Sequence, residues 1–238
     1  MVLMCKFVLC RNIIMLKSFN ILLIFVSALT IQSSSQLPKG FVYVTDYIPD
    51  ITIELRYFCS DNFVGTHIDG YEAGKCILSL PATLALQKVQ TVLKKQNLGI
   101  KVFDAYRPQR AVDHFRRWAR NLNDTLMKQE YYPDVAKKDL FRLEYIATKS
   151  RHSSGSTVDI TLINLDTKKE LDMGSSYDFF GEISWVAYQN LTKEQLHNRK
   201  LLQEAMLKNG FRNYPQEWWH FTLRGEPYRD QHFDFPVY

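Results

Sequence analysis

The chain has 238 residues, 46% hydrophobic and 13% aromatic, which supplies a sizeable core and excludes a disordered chain. Three of its 30 basic residues and none of its 25 acids fall in the first 35 positions. The remainder carries 27 basic against 25 acidic residues, a net of +2, which excludes a nucleic-acid-binding signature.

Residues 1–35 read as an address. Lys6, Arg11 and Lys17 form a basic region, "ILLIFVSAL" (21–29) is uncharged and apolar, and small residues follow at Ser33 and Ser35. This predicts a signal peptide cleaved near residue 35, hence an exported, periplasmic or secreted protein. The alternative is an uncleaved anchor, although the apolar run is shorter than the roughly 20 residues of a membrane span. Cys5 and Cys10 leave with this segment; Cys59 and Cys76 remain, as two buried thiols or a disulfide. Residues 36–238 hold no repeat and no low-complexity linker, and read as one domain.

"FVYVTDYIPDITIELRY" (41–57) alternates as a strand until Pro49 interrupts it, and "DNFVGTHIDGY" (61–71) reads as a loop. Ala82, Ala85, Leu86, Val89, Val92 and Leu93 predict a helix over 82–98, with Gly99 as its stop. "IKVFDAY" (100–106) predicts a strand ended by Arg107-Pro108, and Pro108 suits the first turn of a helix over 109–122. Val112, Phe115, Ala119 and Leu122 form its apolar stripe. Residues 156–163 predict a strand with Val158, Ile160 and Leu162 on one face and Asp159 and Thr161 on the other. Thr192-Lys-Glu-Gln195 is a capping-box pattern that opens a helix ending near Asn209-Gly210. "EWWHFTLRG" (217–225) predicts a closing aromatic-rich strand. Without regular βαβ alternation, the pattern predicts an α+β fold with a mainly antiparallel sheet and flanking helices.

A carboxylate in the Asp159 strand must be solvated, paired or bound to a metal. His152, Asp159 and His220 are candidate ligands, because a catalytic zinc uses three protein ligands and keeps one position open. The turn "SSG" (153–155) lets His152 and Asp159 face one point, while His220 has to come from a neighbouring strand. Glu217 lies three residues before His220. On a regular strand the two face opposite ways, but Pro215 signals irregular backbone that leaves Glu217 available as a general base. Arg107, at a strand end, is a candidate cation for a developing oxyanion. His67, His114, His197 and His232 read as structural, and Trp218 and Trp219 as core. The joint pattern S-x-H-x6-D, followed about sixty residues later by E-x-x-H, is far more specific than its members.

"SRHSSGSTVDITL" and "EWWHF" resemble the S-x-H-x-x-G-x-x-x-D and E-x-W-H motifs of the zinc D-alanyl-D-alanine peptidases. "DAYRP", "DMGSSYDFFGE", "LRYFCSDNFVG" and "GYEAGKC" narrow the resemblance to the D-Ala-D-Ala dipeptidases of the vancomycin-resistance type, over residues 45–230. Thr157-Val158 is a departure, since the family often has small or apolar residues there. The resemblance implies the zinc D-Ala-D-Ala peptidase and Hedgehog-like fold, with one catalytic Zn2+ on His152, Asp159 and His220. It implies Glu217 as base, Arg107 as stabiliser of the tetrahedral intermediate, and Asp178, Tyr71 and Ser150 as substrate-binding residues. The implied partner is a small D-amino-acid dipeptide, with no nucleic acid and with membrane contact only through an uncleaved N-terminus. The alternatives are a D,D- or L,D-carboxypeptidase acting on peptidoglycan stem peptides, and a non-catalytic zinc-binding module.

Overall fold

A computed structural model describes residues 36–238; the expected signal peptide, Cys5 and Cys10 lie outside the described residues. The alternating N-terminal stretch yields only two short strands, β1 (Phe41–Tyr43) and β2 (Thr52–Ile53), separated at the Pro49 turn. β1 pairs antiparallel with β3 (Ile77–Ser79). β3 runs directly into helix α1 (Leu80–Lys94), whose buried Ala82, Leu86, Val89 and Leu93 recur at helical spacing.

α1 stops earlier than expected, and Gly99 is not its stop. Gln96 N–H bonds back to Leu93 O, and Asn97 takes the left-handed conformation at φ +59°, which asparagine tolerates. Gly99 instead belongs to strand β4 (Leu98–Asp104), where a Cβ would lie 2.7 Å from the Leu165 side chain. Pro108 sits one place before helix α2 (Gln109–Arg120) in extended conformation. Val112, Phe115 and Ala119 are buried as expected, but Leu122 is 54% exposed, because Asn121 (ψ 86°) already leaves helical geometry. A four-residue helix, α3 (Lys128–Tyr131), follows.

Strand β5 (Thr157–Asn164) is buried on both faces at the centre of a five-stranded sheet of order β2-β4-β5-β7-β6, with β6 (Phe211–Tyr214) and β7 (Glu217–Leu223). Only the β2–β4 pair is parallel, so the α+β reading with a mainly antiparallel sheet stands. Helix α4 (Lys193–Lys208) packs against β5, β6 and β7, and α1 against β4. The Thr192 capping box forms: Thr192 Oγ1 accepts from Gln195 N at 3.2 Å and Gln195 Oε1 accepts from Thr192 N at 2.9 Å.

The C-terminal tail folds back on the sheet's loop end. Phe235 stacks on Tyr106 with ring centres 4.0 Å apart, and Phe233 N donates to Ser153 O at 2.9 Å, next to His152. Cys59 is exposed, Cys76 is buried and both are free thiols. Among the described residues no helix is long and apolar enough to cross a membrane.

Candidate active site

Cross-strand register builds the centre of the site. Asp159 on β5 pairs opposite His220 on β7, and opposite Asp104 on β4 after an irregularity between Val102 and Asp104. Residues directly opposite share a sheet face, so Asp104, Asp159 and His220 form one row on one face of the sheet. His152 joins from the single turn Arg151–Ser154. Ser150 Oγ caps that turn by accepting from His152 N at 3.3 Å. Gly155 ends it at φ +76°, where a Cβ would run into the Phe41 ring at 2.1 Å.

His152 Nε2 lies 3.2 Å and His220 Nδ1 3.1 Å from Asp159 Oδ1, and the two nitrogens are 3.3 Å apart. His152 Nδ1 donates to Ala105 O at 2.7 Å, which leaves the Nε2 lone pair free for the centre. Asp159 Oδ1 is buried, and no donor of good geometry reaches it. A buried carboxylate oxygen with an imidazole nitrogen on each side and no hydrogen bond of good geometry is costly unless a cation, a proton or a metal ion, lies between them, so the donor set fits a metal ion. His152, Asp159 and His220 would hold it. Burial alone would raise the Asp159 pKa, but the His152 and His220 imidazoles hold it well below the carboxylate range. Burial alone would lower His220; the Asp159 and Glu217 carboxylates override that and raise it to about 9. A bound cation therefore has to displace a proton.

Glu217 Oε2 lies 3.3 Å from His220 Nδ1. The strand-parity objection fails because the β6–β7 register shifts here: Tyr214 pairs with Glu217 but Asn213 with Phe221. Residues 218–220 bulge, and Glu217 comes round to the face that carries His220.

Arg107 donates through Nε (2.9 Å) and Nη2 (2.8 Å) to Asp104 Oδ2, and its Nη2 lies 3.5 Å from Asp159 Oδ2. Its guanidinium sits 5.0 Å from the Tyr57 ring centre and 5.3 Å from that of Phe115. Tyr71 OH donates to Asp104 Oδ1 at 2.6 Å and is fully buried, behind the cavity wall rather than on it. Tyr57 OH donates to Asp178 Oδ2 at 2.8 Å. Burial, followed by the Asp159 charge, pushes the Asp178 pKa well above the usual range, with the Tyr57 hydrogen bond opposing.

These groups surround a cavity of about 240 Å³. His152, Asp159, His220 and Glu217 line it together with Arg107; Ser150 and Asp178 also lie on its wall. Of the candidate residues, only Tyr71 is kept off it. Asp104 is the residue that sequence reasoning passed over: it is a carboxylate at the end of an apolar strand, whereas Asp159 drew attention as one inside a strand. Because Asp104 anchors Arg107 and lies 3.4 Å from His152 Nδ1, Asp104→Ala is expected to lower kcat about 10–100-fold. It should also cost about 3 kcal/mol of stability, since it leaves the half-buried Arg107 without its partner. Steady-state kinetics and denaturant unfolding measure the two effects.

The family model described as "Peptidase M15: D-ala-D-ala dipeptidase" matches residues 38–238. The chain is 37% identical over 201 residues to the D-alanyl-D-alanine dipeptidase of Enterococcus faecalis, covering 84% of this chain and all of that one. It is 36% identical over 197 residues to that of Streptomyces coelicolor, covering 83% and 98% of the two chains. It is 33% identical over 175 residues to that of Escherichia coli, covering 74% and 80%. Since the family model spans residues 38–238 and these relatives are 33–37% identical over most of the chain, the chain belongs to Peptidase M15, the D-Ala-D-Ala dipeptidase family of peptidases.

Proposed function

We propose that the protein is a zinc-dependent dipeptidase that hydrolyses free D-Ala-D-Ala to two D-alanines. The observation that carries this reading is the meeting of three ligand atoms within 4.8 Å of one another beside an unligated carboxylate, Glu217. Mere metal binding has no need of that base. Two imidazoles and one carboxylate suit zinc and leave it a fourth position. Zinc, when bound, would supply Lewis acidity to the scissile carbonyl and make water a better nucleophile.

Glu217 takes a proton from the attacking water and returns it to the leaving amine. Arg107, held charged and oriented by Asp104, donates to the carbonyl oxygen as its charge grows. Asp178 stands where an ammonium restores its ionisation. A buried carboxyl with a raised pKa gains most from a cation brought beside it. The cavity, at about 240 Å³, is smaller than the roughly 300–1,000 Å³ of clefts for drug-sized ligands, which suits a two-residue substrate.

Export is part of the proposal and rests on the basic and apolar pattern of residues 1–35. Sequencing the N-terminus of the mature protein tests it, and an intact Met1 would exclude cleavage.

Chelator-treated protein is expected to lose D-Ala-D-Ala hydrolysis and to regain it with one equivalent of zinc per chain. N-acylated D-Ala-D-Ala should be a poor substrate. Rapid cleavage of the acylated compound alone would make the protein a carboxypeptidase. Apo protein that is fully active would remove the metal from the reading.

A further inference from the structure

The two oxygens of Asp159 have different neighbours. Oδ1 faces the His152 and His220 nitrogens at 3.2 and 3.1 Å. Oδ2 is reached by the Tyr177 hydroxyl at 3.2 Å, its one hydrogen bond among the described residues. Arg107 Nη2 stands farther off, at 3.5 Å, and already donates to Asp104 Oδ2 at 2.8 Å.

A phenol has one proton to give, and Tyr177 has two acceptors at 3.2 Å, Asp159 Oδ2 and the Tyr57 hydroxyl. Tyr57 donates its own proton to Asp178 Oδ2 at 2.8 Å. Its neutral oxygen then competes with the Asp159 carboxylate for the Tyr177 proton, and the charged acceptor wins. If the Asp178 carboxyl is neutral and donates to Tyr57, the Tyr57 proton turns towards Tyr177, and Asp159 is the acceptor that remains. Both arrangements send the Tyr177 proton to Asp159.

Packing holds this hydroxyl in place. Tyr177 is buried, its ring stacks on Phe103 with centres 4.6 Å apart and meets Trp219 edge to face at 5.5 Å. The segment between β5 and α4 that carries Tyr177 is pinned by Arg199 of α4. The Arg199 guanidinium donates to the carbonyls of Met173 at 2.6 Å, Ile183 at 2.8 Å and Trp185 at 3.1 Å. A carboxylate gripped at one oxygen by so rigid a donor cannot swing the other away.

We propose that Tyr177 is a positioning residue of the metal site, its hydroxyl holding Asp159 by Oδ2 so that Oδ1 stays aimed at the cation. It does for Asp159 what the Ala105 carbonyl does for His152. This rests on the reading of His152, Asp159 and His220 as metal ligands. Loss of such an outer hydrogen bond typically costs about 10–100-fold in metal affinity.

The test is Tyr177→Phe, which removes one oxygen and keeps the ring that packs on Phe103 and Trp219. Zinc affinity is read by competition with a chromophoric chelator, and stability by thermal unfolding of the metal-free proteins. The zinc dissociation constant is expected to rise about tenfold, at the low end of the range because Arg107 remains near Oδ2. The metal-free variant should melt within about 3 °C of metal-free wild type. Tyr57→Phe deletes the competing acceptor and leaves the Tyr177–Asp159 bond, so it should hold zinc within about twofold of wild type. A rise of less than about fivefold in Tyr177→Phe overturns the role of Tyr177 and leaves the ligand reading standing. An equal loss in Tyr57→Phe, or a melting temperature lowered well beyond 3 °C in Tyr177→Phe, also overturns it, because packing then accounts for the weaker binding. Wild-type protein that binds no zinc overturns the ligand reading itself.

Discussion

Glu217→Gln is expected to lower kcat for D-Ala-D-Ala by about 10³-fold, at the heart of the range for loss of a general base, with zinc still bound at one equivalent per chain. The metal is expected to stay because His152, Asp159 and His220 would carry it, and Glu217 stands beside them at 3.3 Å from His220 Nδ1. Glutamine fills the same space at the start of β7 but cannot accept the proton of the attacking water. KM should move little, since the change falls on the chemical step. Metal analysis and steady-state kinetics on the same preparation give the answer. A variant within tenfold of the wild-type rate would remove Glu217 from the base role. Equal turnover by wild type and variant, even if slow, would favour a non-catalytic zinc-binding module.

The second large effect is expected at Arg107. Arg107→Lys should cut kcat by about 10²–10³-fold, the usual loss when one oxyanion donor is removed, with a smaller change in KM. Lysine keeps a positive charge near Asp104 but loses the planar fork that places two donors on Asp104 Oδ2 while turning Nη2 towards Asp159. Arg107→Ala is a different experiment. It strands Asp104, whose side chain is fully buried, and should destabilise the fold by about 3 kcal/mol as well as stop catalysis. The comparison separates the chemical role from the structural one: the lysine variant should be slow yet near wild type in melting temperature. A lysine variant that is both fast and stable would leave Arg107 with a packing role only. Combining Arg107→Lys with Asp104→Asn should cost less than the sum of the single changes, because the two side chains form one unit.

Much of this could be read from residue order because it is local. The Thr192 capping box, the α2 stripe up to Ala119 and the period of β5 each depend on neighbours within four positions. The candidate ligands were legible for the same reason: His152 and Asp159 are seven residues apart across one turn, and Glu217 and His220 three apart. The misreadings also have local causes. Glycine after a helical run suggested a stop at Gly99, but an asparagine two residues earlier turned the chain, and the close approach of Leu165 explains the glycine. Leu122 continued the apolar stripe only on paper, because Asn121 had already left the helix.

The sequence by itself determined the chemical inventory, namely two imidazoles, an intrastrand carboxylate, a spare glutamate and an arginine at a strand end. Only the tertiary structure decided which atoms meet. The row Asp104–Asp159–His220 comes from pairing between three strands far apart in the chain, and the approach of Glu217 comes from a register shift between β6 and β7. Tyr71, placed by resemblance with the substrate-binding residues, stands behind Asp104 instead, held there by a 2.6 Å hydrogen bond. Register is set by the partner strand and by what the sheet buries, so no local pattern within β4, β5 or β7 specifies it.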